Sequence, residues 1–311
     1  MSYTLTIKEE ISKKESSKSE MIAELSGYFR NNGTINNGVL NLTTENTFTV
    51  NRIKKMIKDL YQIEIDTQII ENLNFSKKDL YSLNINCNNN YILQDLGIED
   101  KNKKRFLTPP TYIVGANEEI RAYLRGVFSC VGSINDPKTS RYHMELLISE
   151  PEEAVFVQKL LNIFDLNAKI LNREKGYMLY IKEAEKISDY IKILGANNAV
   201  MYFENVRIYR EQKNKTNRLN NCEQANIDKV VATAASQLEQ IEIIEKTSSL
   251  DLLDEKARET LEYRKKYPEA SLKELAEIIS YETEKPITKS GLNHRLRKIK
   301  ELAERLNKQN N

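Results

Sequence analysis

The chain has 311 residues, is 40% apolar and 30% charged, and carries a formal net charge of +2. That length accommodates two or three domains of ordinary globular protein, and so balanced a charge excludes a partner argued from global electrostatics; local clusters must carry it. Cys87, Cys130 and Cys222 form no C-x-x-C and no His-paired ligand spacing, so no metal and no cofactor are expected, and scattered single thiols fit a reducing cytoplasm. The first residues carry no apolar signal core, and no run approaches a membrane span, so no membrane partner is expected.

The first structured unit is expected over about residues 18–97. Ser19-Glu20 opens a helix with Ile22, Leu25 and Phe29 on one face, and Gly33 stops it. Asn37-Gly38 separates the short runs Thr34–Asn36 and Val39–Thr43, a strong hairpin signal. Val50, Ile53, Ile57 and Leu60 give helical spacing to Thr47–Tyr61. Strands Ile63–Ile70 and Asp79–Asn86 and a short helix at Tyr91–Leu96 complete the order helix, strand, strand, helix, strand, strand, helix. A segment with Lys101, Lys103, Lys104, Arg105 and Pro109-Pro110 reads as a linker.

The second unit, about residues 117–196, repeats that order. Helix Glu118–Cys130 leads into a hairpin through Asn135-Asp136-Pro137 and strand Arg141–Ile148. Helix Glu152–Phe164, strands Ala168–Asn172 and Tyr177–Lys182 turning at Lys175-Gly176, and helix Ala184–Leu194 ending at Gly195 follow. Beneath the shared order lies a shared motif. Leu25, Gly27, Phe29, Gly33 and Ile35 fall without a gap on Leu124, Gly126, Phe128, Gly132 and Ile134. A unit used twice implies a pseudo-twofold pair. Gly inside a helix is unfavourable by about 0.5–1 kcal/mol; Gly27 and Gly126 are therefore expected to seat two helices crossing at close range, the alternative being an incidental Gly in each.

Beyond residue 200 the composition shifts. Arg207, Arg210, Lys213, Lys215 and Arg218 crowd a stretch interleaved with Asn, read as a basic linker over 206–222 that assists binding. Ile227, Val230, Val231, Ala234, Leu238, Ile241 and Ile244 mark a long amphipathic helix broken at Thr247-Ser248-Ser249, with three more helices after it. Ser271 to Glu274 is a capping box. Thr288 can cap a longer helix from Lys289 to about Leu306, with Leu292, Leu296, Ile299, Leu302 and Leu306 buried and Lys289, Ser290, Asn293, His294, Arg297, Lys298 and Lys300 opposite. Asn and Arg suit base edges, Ser and Lys suit phosphates. Short helix, turn and basic helix make a helix-turn-helix; the alternative is a surface helix with a solvated basic face. His143, in a strand beside Tyr142 and Glu145, reads as structural.

The paired motif resembles that of the LAGLIDADG homing endonucleases, in which the acid before the last Gly helps hold the catalytic metal. Asn32 and Val131 stand at those positions, so no catalytic residue is expected. The whole chain resembles the bacterial WhiA family: Asn221–Lys229 is similar to its linker signature, and Ser271–Ala276 and Lys289–Ile299 to its helix-turn-helix. The resemblance implies an α+β architecture: a duplicated αββαββα domain over 1–205, the basic linker, and an all-α helix-turn-helix domain over 223–311. It implies a non-enzymatic, sequence-specific regulator of transcription acting in cell division and chromosome segregation, and in sporulation in some relatives. Double-stranded DNA is the implied partner, with transcription machinery or other regulatory proteins beside it, in the cytoplasm at the nucleoid. The DNA contacts carried over are Ser271, Lys273, Thr288, Lys289, Ser290, Asn293, His294, Arg295, Arg297 and Lys298. Two alternatives stay open: an active or degenerate LAGLIDADG endonuclease, and a maturase-like RNA binder. The duplicated domain itself is expected to bind DNA weakly, because the hairpin at Asn36-Asn37 is uncharged and strand Arg141–Ile148 mixes Arg141 and His143 with Glu145.

Overall fold

A computed structural model of the chain describes residues 2–36, 38–70, 79–87, 91–139 and 141–310. Two compact units divide it, residues 1–210 and 211–311.

The first unit holds helix α1 (Tyr3–Ser12), then two copies of one pattern. The first is α2 (Lys18–Asn32), β1 (Thr34–Asn36), β2 (Val39–Thr44), α3 (Thr47–Tyr61), β3 (Asp66–Ile70), β4 (Leu80–Asn86) and α4 (Tyr91–Asp95). The second is α5 (Asn117–Val131), β5 (Gly132–Ile134), β6 (Met144–Ile148), α6 (Pro151–Ile163), β7 (Lys169–Arg173), β8 (Gly176–Ile181) and α7 (Ala184–Leu194). Both antiparallel sheets have the same strand order, β1-β2-β4-β3 and β5-β6-β8-β7. The duplicated αββαββα arrangement is thus as expected. Of the expected hairpin turn, Asn37 lies outside the described residues, and Gly38 adopts φ 76.

Strand alternation sets which sheet face is covered. Leu40, Leu42, Leu83 and Ile85 are buried in one sheet, Met144, Leu146, Leu179 and Ile181 in the other. The opposite face of the first sheet carries Thr34, Asn41, Thr43, Ser82, Asn84 and Gln68, with Asp66 as a charge. That of the second carries Glu145, Tyr180, Lys169 and Arg173.

The helices α2 and α5 cross at the two motif glycines. A Cβ on Gly27 would lie 2.4 Å from the Tyr123 carbonyl oxygen, and one on Gly126 would lie 2.0 Å from the Glu24 carbonyl oxygen. Glu24 and Tyr123 occupy the same position in their copies, three residues before the glycine, so the two clashes are mirror contacts about one pseudo-twofold axis. The expected close crossing is present.

Gly33 ends the first motif helix as expected, but several starts differ: β3 begins at Asp66 rather than Ile63, and β6 at Met144 rather than Arg141. Helix α2 starts at the capping box of Ser17 and Glu20, not at Ser19. Gly33 ends it without a left-handed turn, at φ −76; glycine is needed because a Cβ would lie 2.6 Å from the Phe29 oxygen and 2.8 Å from Leu40. Helix α1 has no counterpart in either copy. Tyr3, Ile7 and Ile11 bury one face, the Thr4 hydroxyl bonds both the Ile134 N–H and carbonyl at 2.9 Å, and the Glu10 carboxylate accepts from the N–H groups of Asn198 and Ala199 at 2.7 and 3.0 Å. A carboxylate there caps the positive end of the next helix.

That helix is α8, Asn197–Lys246, 50 residues without interruption. The stretch 206–222, expected as a linker, is helical throughout, because it holds no Gly or Pro to end the helix. Helices α9 (Glu255–Lys266), α10 (Leu272–Thr283) and α11 (Lys289–Asn310) follow. Ile241 and Ile244 join Leu261, Leu275, Ile279, Leu292, Leu296 and Ile299 in the core of the second unit.

Candidate nucleic-acid interface

The positions that would carry metal-binding acids are built into other work. The Asn32 amide pairs with a strand backbone: its Nδ2 donates to the Thr43 carbonyl at 2.8 Å and its Oδ1 accepts from the Thr43 N–H at 3.0 Å. Val131 is half-buried against the core of the second copy. A hard divalent cation needs anionic oxygen ligands. A neutral amide engaged with β2 and a packed isopropyl group do not fit it. Among the described residues no cluster of three His, Cys, Asp or Glu side chains could hold a metal.

The second unit presents different chemistry. The Ser271 hydroxyl accepts from the Glu274 N–H and the Glu274 carboxylate accepts from the Ser271 N–H, fixing the start of α10. Glu284, at φ 56, ends it. The turn to α11 is pinned by Ser280, whose hydroxyl donates to the Ala276 carbonyl at 2.7 Å and accepts from the Ile287 N–H at 2.9 Å. Thr288 then caps α11 by accepting from the Gly291 N–H at 3.1 Å. At the turn between α9 and α10, the buried Arg264 donates to the carbonyls of Ala270 and Tyr267 at 2.7 and 3.3 Å.

This frame aims α11. Leu292, Leu296 and Ile299 face inward, while Lys289, Ser290, Asn293, His294, Arg297, Lys298 and Lys300 are exposed. Asn293, Arg297 and Lys300 line one side of a groove of about 450 Å³ whose other side is Thr233, Ser236 and Gln240 of α8. Lys273 and Lys289 converge with Ser271 on a smaller cleft of about 190 Å³. A third cation, Lys229 of α8, lines that cleft. Lys229 lies in the signature string but carries no contact role there; its signal is helical phase, since Lys229 and Thr233 are one turn apart on the face that also bears Ser236 and Gln240.

Two predicted contacts sit differently. The Arg295 guanidinium is half-buried against α9, bonded to the Glu259 carboxylate at 3.1 Å. Its position three residues after Leu292 puts it at the edge of the buried stripe. Lys298 pairs with Asp254 at 2.6 Å, and that ammonium, with the Ala257 N–H, holds the Asp254 carboxyl below the usual range. The pair is exposed, so its ammonium is exchangeable at little loss. In the basic stretch before them, Arg207 pairs with Glu204 and Glu185. Arg210 donates to the carbonyls of Pro137 and Thr139 and stacks on Tyr142. Lys213, Lys215 and Arg218 are exposed.

A duplicated α/β unit seated on crossing helices, followed by a helix-turn-helix unit, defines a LAGLIDADG-like scaffold joined to a helix-turn-helix. Three family models match in chain order: the WhiA N-terminal LAGLIDADG-like domain over residues 18–99, the WhiA LAGLIDADG-like domain over 120–213 and the WhiA C-terminal HTH domain over 216–303. The chain belongs to the WhiA family. The probable cell division protein WhiA of Brevibacillus brevis is 39% identical to it, across 100% of this chain and 99% of that one. The protein of the same name from Enterococcus faecalis is 40% identical, across 98% of each. The crystal structure of full-length WhiA from Thermotoga maritima superposes with a TM-score of 0.60 at 22% identity, covering 98% of this chain and 99% of that one.

Proposed function

We propose that this chain is a non-enzymatic, sequence-specific DNA-binding regulator that reads duplex DNA with α11, through Lys289, Ser290, Asn293, His294 and Arg297. The observation that carries the reading is the two-sided helix: an apolar stripe sealed in the core, and opposite it a face of Asn, Ser, Arg and Lys. Asn and Arg supply bidentate readout in the major groove. Lys229, Lys273 and Lys289, beside the N-terminus of α10, supply backbone phosphate contacts that hold the register. Thr288 and Ser271 shape the two helix starts, and Arg295 orients α11 against α9. Domains at 1–205 and 223–311 keep their roles in this reading, with the stretch between them helical. The names of the relatives support a role in cell division; control of transcription, chromosome segregation or sporulation at the nucleoid, with transcription machinery as a further partner, extends it. Among the described residues no helix is long and apolar enough to cross a membrane.

The test is substitution on the reading face. Asn293→Ala or Arg297→Ala should cost about 1–3 kcal/mol of binding, about five- to 150-fold, and relax preference at one base pair. Selection of bound duplexes from a random pool checks this. An unchanged preferred sequence in both variants would put the reading face elsewhere. Duplex DNA should also outcompete structured RNA, since the deep, narrow major groove of A-form RNA does not admit a helix.

The same reading predicts no nuclease activity. Two-metal displacement needs carboxylates to place both ions, and Asn32 and Val131 do not supply them. Incubated with a plasmid bearing its bound sequence and Mg²⁺, the purified chain should leave it supercoiled; metal-dependent cutting at that site would contradict the reading.

A further inference from the structure

The part of α8 that belongs to the second unit presents unlike sides. Thr233, Ser236 and Gln240 share a groove with Arg297 and Lys300, and Lys229 shares a cleft with Lys273 and Lys289. Among the described residues no acidic side chain lines either one. A third groove, of about 690 Å³, has the opposite makeup. Ile227, Val230, Val231, Ala234 and Leu238 of α8 form its apolar wall, and Pro268 lines it from the turn before α10. The charged groups that line it are Glu269 and Glu274. Both are exposed, and neither is in an ion pair among the described residues. The Ser271 backbone N–H holds the Glu274 carboxyl below its ordinary range, which keeps it charged.

Ile227 and Val231 are each 56% exposed. Apolar area left in water is unfavourable by about 25 cal/mol per Å², and a contiguous apolar patch with a polar rim marks an interaction surface. The shape of the groove selects what fills it. Residues 226–238 rise about 18 Å along α8, between three and four turns. The backbone groups of α8 are satisfied within the helix, so no strand can add to it. A second helix laid along the groove meets it with side chains at i, i+4 and i+7. The unpaired carboxylates favour Lys or Arg beside that stripe and repel DNA phosphates. The chain's own basic segment does not supply the stripe. Among residues 211–221, Lys213, Lys215 and Arg218 are accompanied by one large apolar side chain, Leu219.

We propose that this groove takes an amphipathic helix with basic flanks from a partner protein, independently of duplex reading by α11. The helix sets its apolar stripe against Ile227, Val231 and Leu238, and its cations meet Glu269 and Glu274.

The probe is a stapled synthetic helix of about 18 residues, roughly 27 Å long, with leucines at i, i+4 and i+7 and lysines on both sides of them. Fluorescence anisotropy reads its binding to the full chain. Saturable binding is expected, and a twin peptide with glutamates in place of the lysines should bind about tenfold more weakly. The double variant Ile227→Ser with Val231→Ser removes two exposed anchors without changing charge. It should melt as the native chain does and bind the lysine peptide about tenfold or more weakly. Glu269→Lys should weaken that peptide about two- to tenfold and strengthen its glutamate twin. Lys273→Ala with Lys289→Ala should lose duplex affinity and keep the peptide, so the groove and the DNA reading fail separately. No saturable binding, equal affinity for the two peptides, or affinity untouched in the serine variant would overturn the proposal. A dimer of the native chain that the serine variant dissolves would put a second copy in the groove. Duplex affinity lowered in that variant would make the groove a DNA surface. Either result also overturns it.

Discussion

Replacing Glu24 by alanine is expected to destabilise the chain by about 3–5 kcal/mol, the range for breaking a buried ion pair from one side. Glu24 is 4% exposed and sits between two guanidiniums that are 8% and 1% exposed, Arg52 and Arg125. Arg52 approaches it through Nε and Nη2 at 3.0 and 2.9 Å, and Arg125 through Nε at 3.0 Å. Arg52 belongs to the first copy and Arg125 to the second, so one carboxylate ties the copies together. Removing it leaves Arg125 with Glu20 at 3.7 Å as its anion. The buried charge then has to be partly hydrated by opening the α2–α5 interface. Since a domain's total stability is about 5–15 kcal/mol, a large fraction of the variant should be unfolded in mild denaturant. Chemical denaturation measures this; a loss below about 1 kcal/mol would mean the triad is hydrated and does not join the copies.

The Gly126→Ala variant should lose about 3 kcal/mol or more through overpacking. The new methyl would stand 2.0 Å from the Glu24 oxygen and 2.9 Å from the Tyr28 nitrogen. Both are backbone atoms of a helix, so no rotamer change relieves the contact, and α2 and α5 must move apart. Gly291→Ala in α11 is the control. Its methyl would meet Thr288 at 3.5 Å, an ordinary contact, and the variant should gain about 0.5–1 kcal/mol from helix propensity. Thermal melts of the pair should diverge. Equal melts would show that the crossing is looser than the glycines indicate.

The repeat was legible because its determinants are local: glycine where two helices touch, alternation in the strands, and turn residues at matching offsets. The helix-turn-helix was legible for the same reason, since Ser271 with Glu274 and Thr288 with Gly291 are caps written within a few residues of each other. The relations that escaped join residues far apart in sequence. Arg52, Arg125 and Glu24 carry no local signal of their pairing, which exists only once α2, α3 and α5 are brought together. Glu10 caps α8 across the whole of the first unit. Helix α1 had a signal in the spacing of Tyr3, Ile7 and Ile11, masked by the polar run that follows it. The 206–222 stretch was read as a linker from its crowded basic residues interleaved with Asn. Asn is a weak helix former, yet it does not end a helix as Gly or Pro does. Arg207 and Arg210 were counted with the free cations, but their partners in α7 and the loop at Pro137 to Thr139 are visible only in three dimensions.

The sheet faces decide how the old scaffold is used. In the first sheet the open face mixes amides and hydroxyls with Val39, Ile70 and Leu80 and one acid, and in the second Lys169 and Arg173 stand with Glu145 among Leu147, Leu171 and Met178. Phosphate binding needs several cations together, and Lys229, Lys273 and Lys289 converge on one cleft of the second unit, beside the buried Arg264. On the proposed reading, the duplicated unit is expected to bind DNA weakly and to dock or position the reader. The direct measurement is the salt dependence of duplex binding by the full chain and two sets of alanine variants. Each neutralised phosphate contributes about −0.9 to the log–log slope. Removing Lys229, Lys273 and Lys289 together should flatten the slope by about 2–3, while removing Lys169 and Arg173 should leave it unchanged. A slope that flattens on loss of Lys169 and Arg173 and survives loss of the three lysines would show that the sheets hold the DNA, and would contradict the account.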